Sequence, residues 1–270
     1  MIKCGNWSIG VCTWSLGNDF EKIGQIREQT GLEHLHLALS PALAEDGQTY
    51  LAKVSEQNWQ ISAAMIDFEQ EDYSSLESIR TTGGIVPEDC WEKNRQKVFD
   101  AIGITNQLGV KFLTCHFGFI DQTDAEYQRR FTEKVRLLAD VAGEKSVMLL
   151  METGQENAGE LREFLEKINH PALGVNFDPA NMILYEKGDP IKAVGILGPW
   201  IKHVHIKDAI ATKKTGTWGT EVAWGDGEVR SDEFLAALKA IGFTGALAIE
   251  REAGDRRLED IIKAAEMLVG

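Results

Sequence analysis

Residues 147–178, VMLLMETGQENAGELREFLEKINHPALGVNFD, hold one full period of the chain's pattern. The apolar run Val147–Met151 leads straight into Glu152, as a short strand buried on both faces does. Asn157 then stands three residues before Glu160, the spacing at which a helix-opening side chain and a carboxylate satisfy each other's backbone N–H groups. Behind it, Leu161, Phe164, Leu165 and Ile168 fall at i, i+3, i+4 and i+7, the apolar stripe of a helix lying on a sheet. A second apolar run, Leu173–Phe177, ends on another carboxylate, Asp178. A helix of this length is the crossover that two parallel neighbouring strands need.

The same unit repeats outward in both directions. Further strands are expected at Ile9–Trp14, His34–Leu39, Ile61–Ile66 and Lys111–His116, and later at Ile201–Ile206 and Ala246–Ile249. Asn18 and Thr123 each precede a Glu by three residues, and Ser40-Pro41 and Asp189-Pro190 place proline just after a cap. Eight strands alternating with helices over 270 residues predict an α/β chain folded as a single-domain (β/α)8 barrel spanning residues 1–270. An open doubly wound sheet that binds a dinucleotide is disfavoured, because Gly10–Gly17 after the first strand lacks the Gly-x-Gly-x-x-Gly turn. Two connections exceed ordinary turns: Phe68 to about Glu88, containing Gly83-Gly84, and Asp208 to Arg230, containing Trp218, Trp224, Gly225 and Gly227. Both fall at the C-terminal face of the barrel, where long loops carry function. Their glycines suit either the hinges of a lid or fixed turns with positive φ.

Charge narrows the partners. Forty-two acidic residues against 28 basic ones give a formal net charge of −14, which opposes a phosphate backbone and argues against nucleic acid. No apolar run approaches the roughly 20 residues that cross a bilayer. The first residues lack the charged-then-apolar order of a secretion signal, so no membrane partner and a cytoplasmic location are expected. Cys12 and Cys115 lie inside apolar strands and read as small buried hydrophobes.

The chemistry sits at the strand ends. Glu152, Asp178, His205 and Glu250 close the fifth to eighth strands, separated by 26, 27 and 45 residues, the last interval including the long second loop. Equivalent positions on neighbouring barrel strands share one mouth, so the four side chains converge. Three carboxylates facing one another repel unless protonated or bridged by a cation. With one imidazole they make an oxygen-rich set suited to one divalent metal ion, Mn²⁺, Mg²⁺, Co²⁺ or Zn²⁺, with room for water or substrate.

Five motifs carry a resemblance: Gly-Val-Cys-Thr-Trp-Ser at 10–15, Met-Glu-Thr-Gly at 151–154, Asn-Phe-Asp-Pro-Ala-Asn at 176–181, Lys-His-Val-His-Ile-Lys-Asp at 202–208 and Ala-Ile-Glu-Arg-Glu-Ala-Gly at 248–254. Together they resemble the xylose isomerase-like superfamily of sugar phosphate isomerases and epimerases, over essentially the whole chain. The resemblance implies a (β/α)8 barrel, maps one metal onto Glu152, Asp178, His205 and Glu250, and makes Glu152 and Glu250 the acid/base pair that moves a proton through an enediolate. Two positions depart from the ketose 3-epimerase members: Asn181 stands where some carry His, and Ala211 where they carry Arg.

The expected activity is a metal-dependent isomerase or epimerase of a sugar or polyol. The alternative is a dehydratase or lyase of a keto-cyclitol or keto-sugar, which starts with the same proton abstraction. Asp226, Glu228 and Asp232 crowd the loop before the eighth strand with negative charge, which favours an unphosphorylated substrate. Around the metal set, His116, Lys207, Trp14, Asn181 and Glu156 are the expected substrate contacts. Trp14 offers a ring to a sugar face, and Lys207 either binds a substrate oxygen or neutralises the carboxylates. His203 shares a strand face with His205 and is expected below the site. No role is assigned to His34 or His36. The loop bearing Trp218 and Trp224 suits a pocket wall or the interface of a homo-oligomer.

Overall fold

The structure, a computed structural model, describes residues 2–85, 87–121 and 123–270. Met1, Gln122 and Val86, the last inside the first long connection, lie outside the described residues. A short strand β1 (Lys3–Cys4) turns back antiparallel onto β2 (Trp7–Cys12). Then come β3 (His34–Ala38), β4 (Gln60–Met65), β5 (Phe112–Cys115), β6 (Met148–Glu152), β7 (Leu173–Phe177) and β8 (Ile201–Ile206). A hairpin, β9 (Asp208–Ile210) with β10 (Thr220–Val222), precedes the last strand, β11 (Ala246–Ile249). Strands β2 to β8 pair in chain order, and β11 pairs with both β8 and β2, Ile249 opposite Val11. The eight parallel strands therefore close into a barrel, which leaves no free edge among them.

Ten helices are found among the described residues: α1 (Phe20–Thr30), α2 (Gly47–Glu56), α3 (Leu76–Thr82), α4 (Trp91–Gln107), α5 (Ala125–Glu144), α6 (Ala158–Ile168), α7 (Pro179–Leu184), α8 (Pro190–Leu197), α9 (Ser231–Ala240) and α10 (Arg257–Val269). The capping box at Asn157 forms as the spacing predicts, with Glu160 N donating to Asn157 Oδ1 at 3.0 Å and Asn157 N donating to Glu160 Oε2 at 3.1 Å. At α1 and α5 the cap is one residue later than expected, Asp19 and Asp124 instead of Asn18 and Thr123. In both cases the carboxylate takes two backbone N–H groups at once, which the earlier residue does not.

Alternation along the strands divides the core in two. Leu149, Val175, Phe177, Val204, Ile206 and Leu247 are essentially fully buried and belong to the apolar layer beneath the helices, where the ring of Phe177 stacks on Phe234 of α9 at 5.9 Å. The alternate residues Asn176, His203 and His205 meet inside the barrel. The outer layer thus holds the fold together while the barrel interior is polar and positions the site.

Both long connections contain structure hidden from pattern reading. Helix α3, with Ser75 as its cap, occupies the first, and the β9–β10 hairpin occupies the second. Gly84 has φ +75°, and a Cβ there would lie 2.1 Å from Gly118 N, so it is a fixed turn pressed against the neighbouring loop and not a hinge. The first strand stops at Cys12, two residues short of Trp14, because Thr13–Leu16 coils into a 3-10 turn closed by Gly17 at φ 66°. Among the described residues, no helix is long and apolar enough to cross a membrane.

Candidate metal centre

At the C-terminal ends of β6, β7, β8 and β11, the residues Glu152, Asp178, His205 and Glu250 each offer a ligand atom, and these atoms all lie within 4.8 Å of one another. His205 Nδ1 stands 3.4 Å from Glu152 Oε1, 3.5 Å from Asp178 Oδ2 and 3.2 Å from Glu250 Oε2. An ion with ligands about 2.1 Å away holds neighbouring ligand atoms about 3.0–3.4 Å apart, so the spacing suits a single cation. The hydrogen bonding points the same way. Glu152 Oε2, Asp178 Oδ2 and His205 Nδ1 are buried without a hydrogen-bond partner, and Glu250 Oε2 is met by the ammonium of Lys207 at 2.9 Å. Three buried carboxylates converging in one place call for more positive charge than one lysine supplies. The residues present fit a divalent cation.

Backbone and side chains fix each ligand. Asp178 opens α7, accepting from Asn181 N at 2.9 Å through Oδ1, which leaves Oδ2 for the cluster. Its own N–H donates to Thr153 Oγ1 at 2.8 Å. The two glutamates are held alike: Asn181 Nδ2 donates to Glu152 Oε1 at 3.1 Å, and Trp14 Nε1 donates to Glu250 Oε1 at 2.6 Å. Lys207 is buried, with Nζ 2.7 Å from Glu252 Oε2, 2.9 Å from Glu250 Oε2 and 3.7 Å from Asp178 Oδ2. It thus stands among carboxylates while also lining the cavity above them.

The electrostatics follow from this crowding. Burial works against a charged Glu152, but His205 and His116 outweigh it and hold the carboxyl below its usual range. Burial opposes charge on Glu250 too, and Lys207 and His205 hold it well below. Asp178 is pushed up by burial. Although burial disfavours an imidazolium, Glu250, Cys12 and Glu152 keep the His205 ring protonated well above the ordinary histidine range. Burial drives His36 and His203 the other way, well below it.

Above the cluster opens a cavity of about 940 Å³ lined by Trp14, His116, Asn181 and Lys207, together with Tyr73, Tyr185 and Trp218 from the connections. The two long loops meet over it, Trp218 Nε1 donating to Tyr73 O at 3.1 Å. Trp218 therefore forms pocket wall. Trp224 is buried against Phe234 and faces no open surface. Glu156 departs from expectation. It is buried outside the cavity lining, near Lys187 and Glu160. Burial pushes its carboxyl up to about 8. Cys12 and Cys115 are buried as expected, and burial lifts the Cys12 thiol to about 12.

Several residues were not singled out from sequence. His36 sits fully buried under the cluster with Nδ1 3.0 Å from His205 Nε2. Asn176 also reaches His205 Nε2, at 3.1 Å. Strand alternation carries the signal for Asn176, which shares the inward parity of Asp178 at the end of its strand. Glu252, two residues beyond Glu250, was open to the same reasoning. Glu221, which accepts from Arg251 Nη1 at 2.6 Å and faces Lys207 at 4.0 Å, lies in the hairpin and left no periodic signal.

The sequence pattern of the xylose isomerase-like TIM barrel family matches residues 30–269. No functionally curated protein matches the chain. Among solved structures, a xylose isomerase domain protein from Planctomyces limnophilus superposes with a TM-score of 0.89 at 28% identity, covering 97% of this chain and 96% of that one. The probable 3-DHS dehydratase AsbF from Bacillus anthracis superposes with a TM-score of 0.73 at 19% identity, over 97% of this chain and 99% of that one. A D-allulose 3-epimerase from Methylomonas sp., in complex with D-allulose, gives 0.71 at 17% identity, over 99% and 96%. At such identities the last two establish likeness of fold alone. With the family pattern running from residue 30 to the C-terminal end of α10, this chain belongs to the xylose isomerase-like TIM barrel family.

Proposed function

We propose that this chain is a divalent-metal-dependent isomerase or epimerase of a sugar or polyol, with Glu152, Asp178, His205 and Glu250 holding the ion and the two glutamates moving the proton. The reading is carried by one observation: three buried carboxylates and one imidazole bring ligand atoms within 4.8 Å of one another at the floor of a cavity large enough for a monosaccharide. The oxygen-rich set favours Mn²⁺, Mg²⁺ or Co²⁺ over a structural zinc. When bound, the ion supplies positive charge beside the substrate carbonyl and makes the neighbouring C–H acidic enough for a carboxylate to remove.

The protein's own groups do the rest. One glutamate takes the proton from carbon and the electron pair moves onto the carbonyl oxygen, giving an enediolate. The other returns a proton, to the opposite face of the same carbon in epimerisation. Because Asn181 and Trp14 each hold one glutamate oxygen, neither carboxylate is free to rotate away. Trp14, Tyr73 and Trp218 offer ring faces to the C–H side of a sugar, and His116, whose Nδ1 has no partner, is placed to bind a hydroxyl. Lys207 keeps the carboxylate cluster from repelling itself.

The test is solvent deuterium exchange. Mn²⁺-loaded protein in D₂O, offered a panel of ketoses and keto-polyols that includes D-allulose, incorporates deuterium beside the carbonyl of one of them without loss of water. Glu152→Gln and chelation each abolish it. A conjugated enone absorbing in the ultraviolet would move the activity to the dehydratase class, and undiminished exchange in Glu152→Gln would remove the glutamate from its role.

A further inference from the structure

Beneath the four ligands, the polar residues inside the barrel form one hydrogen-bonded chain. Thr114 Oγ1 lies 3.0 Å from His36 Nε2, and His36 Nδ1 lies 3.0 Å from His205 Nε2. Asn176 bridges His205 to His203 at 3.1 and 2.9 Å. His203 Nε2 then meets Ser62 Oγ at 3.1 Å, and that hydroxyl donates to Leu35 O at 3.0 Å. His36, Thr114, Asn176, His203 and His205 are all fully buried, so water cannot substitute for a missing partner.

Counting hydrogens along this chain decides the tautomers. A ligand nitrogen must present a lone pair, and the one facing the three carboxylates is His205 Nδ1. Its proton therefore resides on Nε2, and whatever faces Nε2 must accept. His36 Nδ1 is then bare, and His36 carries its hydrogen on Nε2 and donates it to Thr114 Oγ1. The Asn176 amide turns its oxygen to His205 and its NH₂ to His203 Nδ1, an exchange of two atoms of like size. His203 donates from Nε2 to Ser62 Oγ. With the ion bound, every imidazole N–H along the chain then has an acceptor, and all three imidazoles are neutral.

We propose that His36 is a positioning residue for the metal centre: by accepting from His205 Nε2–H, and being itself fixed by Thr114, it keeps the Nδ1 lone pair of His205 directed at the ion. The proposal rests on the metal reading given above. A ring held in the other tautomer would point an N–H at the ion, and a ring without a partner would be free to tilt. Partners of this kind are worth about 10- to 100-fold in metal affinity.

The test has two parts. In ¹⁵N-histidine NMR spectra of the unaltered protein loaded with Zn²⁺, His205 and His36 are both protonated on Nε2; a His36 proton on Nδ1 overturns the proposal without any variant. For affinity, Mn²⁺ titration of His36→Leu gives a dissociation constant at least tenfold weaker than wild type, whereas His36→Asn, which returns an acceptor oxygen near the place of Nδ1, binds within about threefold. Circular dichroism melts show whether each variant folds. Should His36→Leu not fold, Thr114→Val, close in shape, removes the acceptor that orients His36 and shows a smaller loss in the same direction. Unchanged affinity in folded His36→Leu overturns the positioning role and leaves the metal reading intact. A wild-type chain that binds no Mn²⁺ overturns the metal reading, and this proposal with it.

Discussion

Asp208, the first residue of β9, organises the second long loop, and replacing it with Asn is expected to destabilise the whole chain. Its carboxylate accepts four backbone hydrogen bonds: Ala209 N at 2.8 Å and Val229 N at 3.1 Å on Oδ1, Gly225 N at 3.0 Å and Gly227 N at 3.1 Å on Oδ2. The side chain is buried, at 1% exposure, so no water replaces it. In Asp208→Asn, whichever way the amide turns, one pair of N–H groups loses its acceptor and meets an NH₂ instead. At roughly 1–3 kcal/mol for each buried donor left unmade, the substitution costs about 4 kcal/mol. For a chain of this length each kcal/mol lowers Tm by about 2–4 °C, so the melt falls by on the order of 10 °C. Calorimetry at pH 7 measures it. Asp226→Asn in the same loop is the control, since its pair with Lys263 is exposed and its loss moves stability by less than about 1 kcal/mol. Equal, small effects from both substitutions would refute the assignment of Asp208 as the anchor of the loop.

Three further outcomes follow from the site. His205 is protonated in the metal-free protein at neutral pH, because the carboxylates hold its imidazolium well above the ordinary range, whereas a ligand nitrogen must be bare. Metal binding therefore releases about one proton, and affinity rises about tenfold per pH unit below the His205 value; isothermal titration in buffers of different ionisation enthalpy reads the proton directly. Glu156 has a folded-state value of about 8, raised by burial from 4.5. The folded chain thus binds the extra proton, and stability falls as pH rises through that window; Glu156→Gln removes the slope and melts above wild type at pH 8. Trp14→Phe deletes the N–H on Glu250 Oε1, and deuterium exchange slows on the order of tenfold.

Much of the barrel was legible because its signals are local. Leu173–Phe177 and Ile201–Ile206 are strands over the whole predicted span, since a buried parallel strand is an uninterrupted apolar run or ends on a functional residue. The four strand-end residues were legible as polar side chains closing apolar runs, because strand-helix repeats return the chain to the same mouth, where the structure brings them together. What pattern reading missed is non-local. Helix α3 has seven residues, too few for a periodic signature, and depends on Ser75 and its neighbours for its start. His36 and His34 share one parity, but His36 lies under His205 while His34 is half-buried at the other end of β3. Only the three-dimensional stagger of the strands, including the irregularity in β3–β4 pairing at Leu35/His36, tells them apart. Glu221 and Tyr73 reach the cavity through loops whose course no periodicity dictates.

In the proposed function one cation joins β6, β7, β8 and β11. An anomalous difference map from crystals of the protein loaded with Mn²⁺ addresses it most directly. A single strong peak is expected about 2.1–2.3 Å from a carboxylate oxygen each of Glu152, Asp178 and Glu250 and from His205 Nδ1. A saturated crystal with no peak among these four side chains, or with its manganese bound elsewhere, would contradict it.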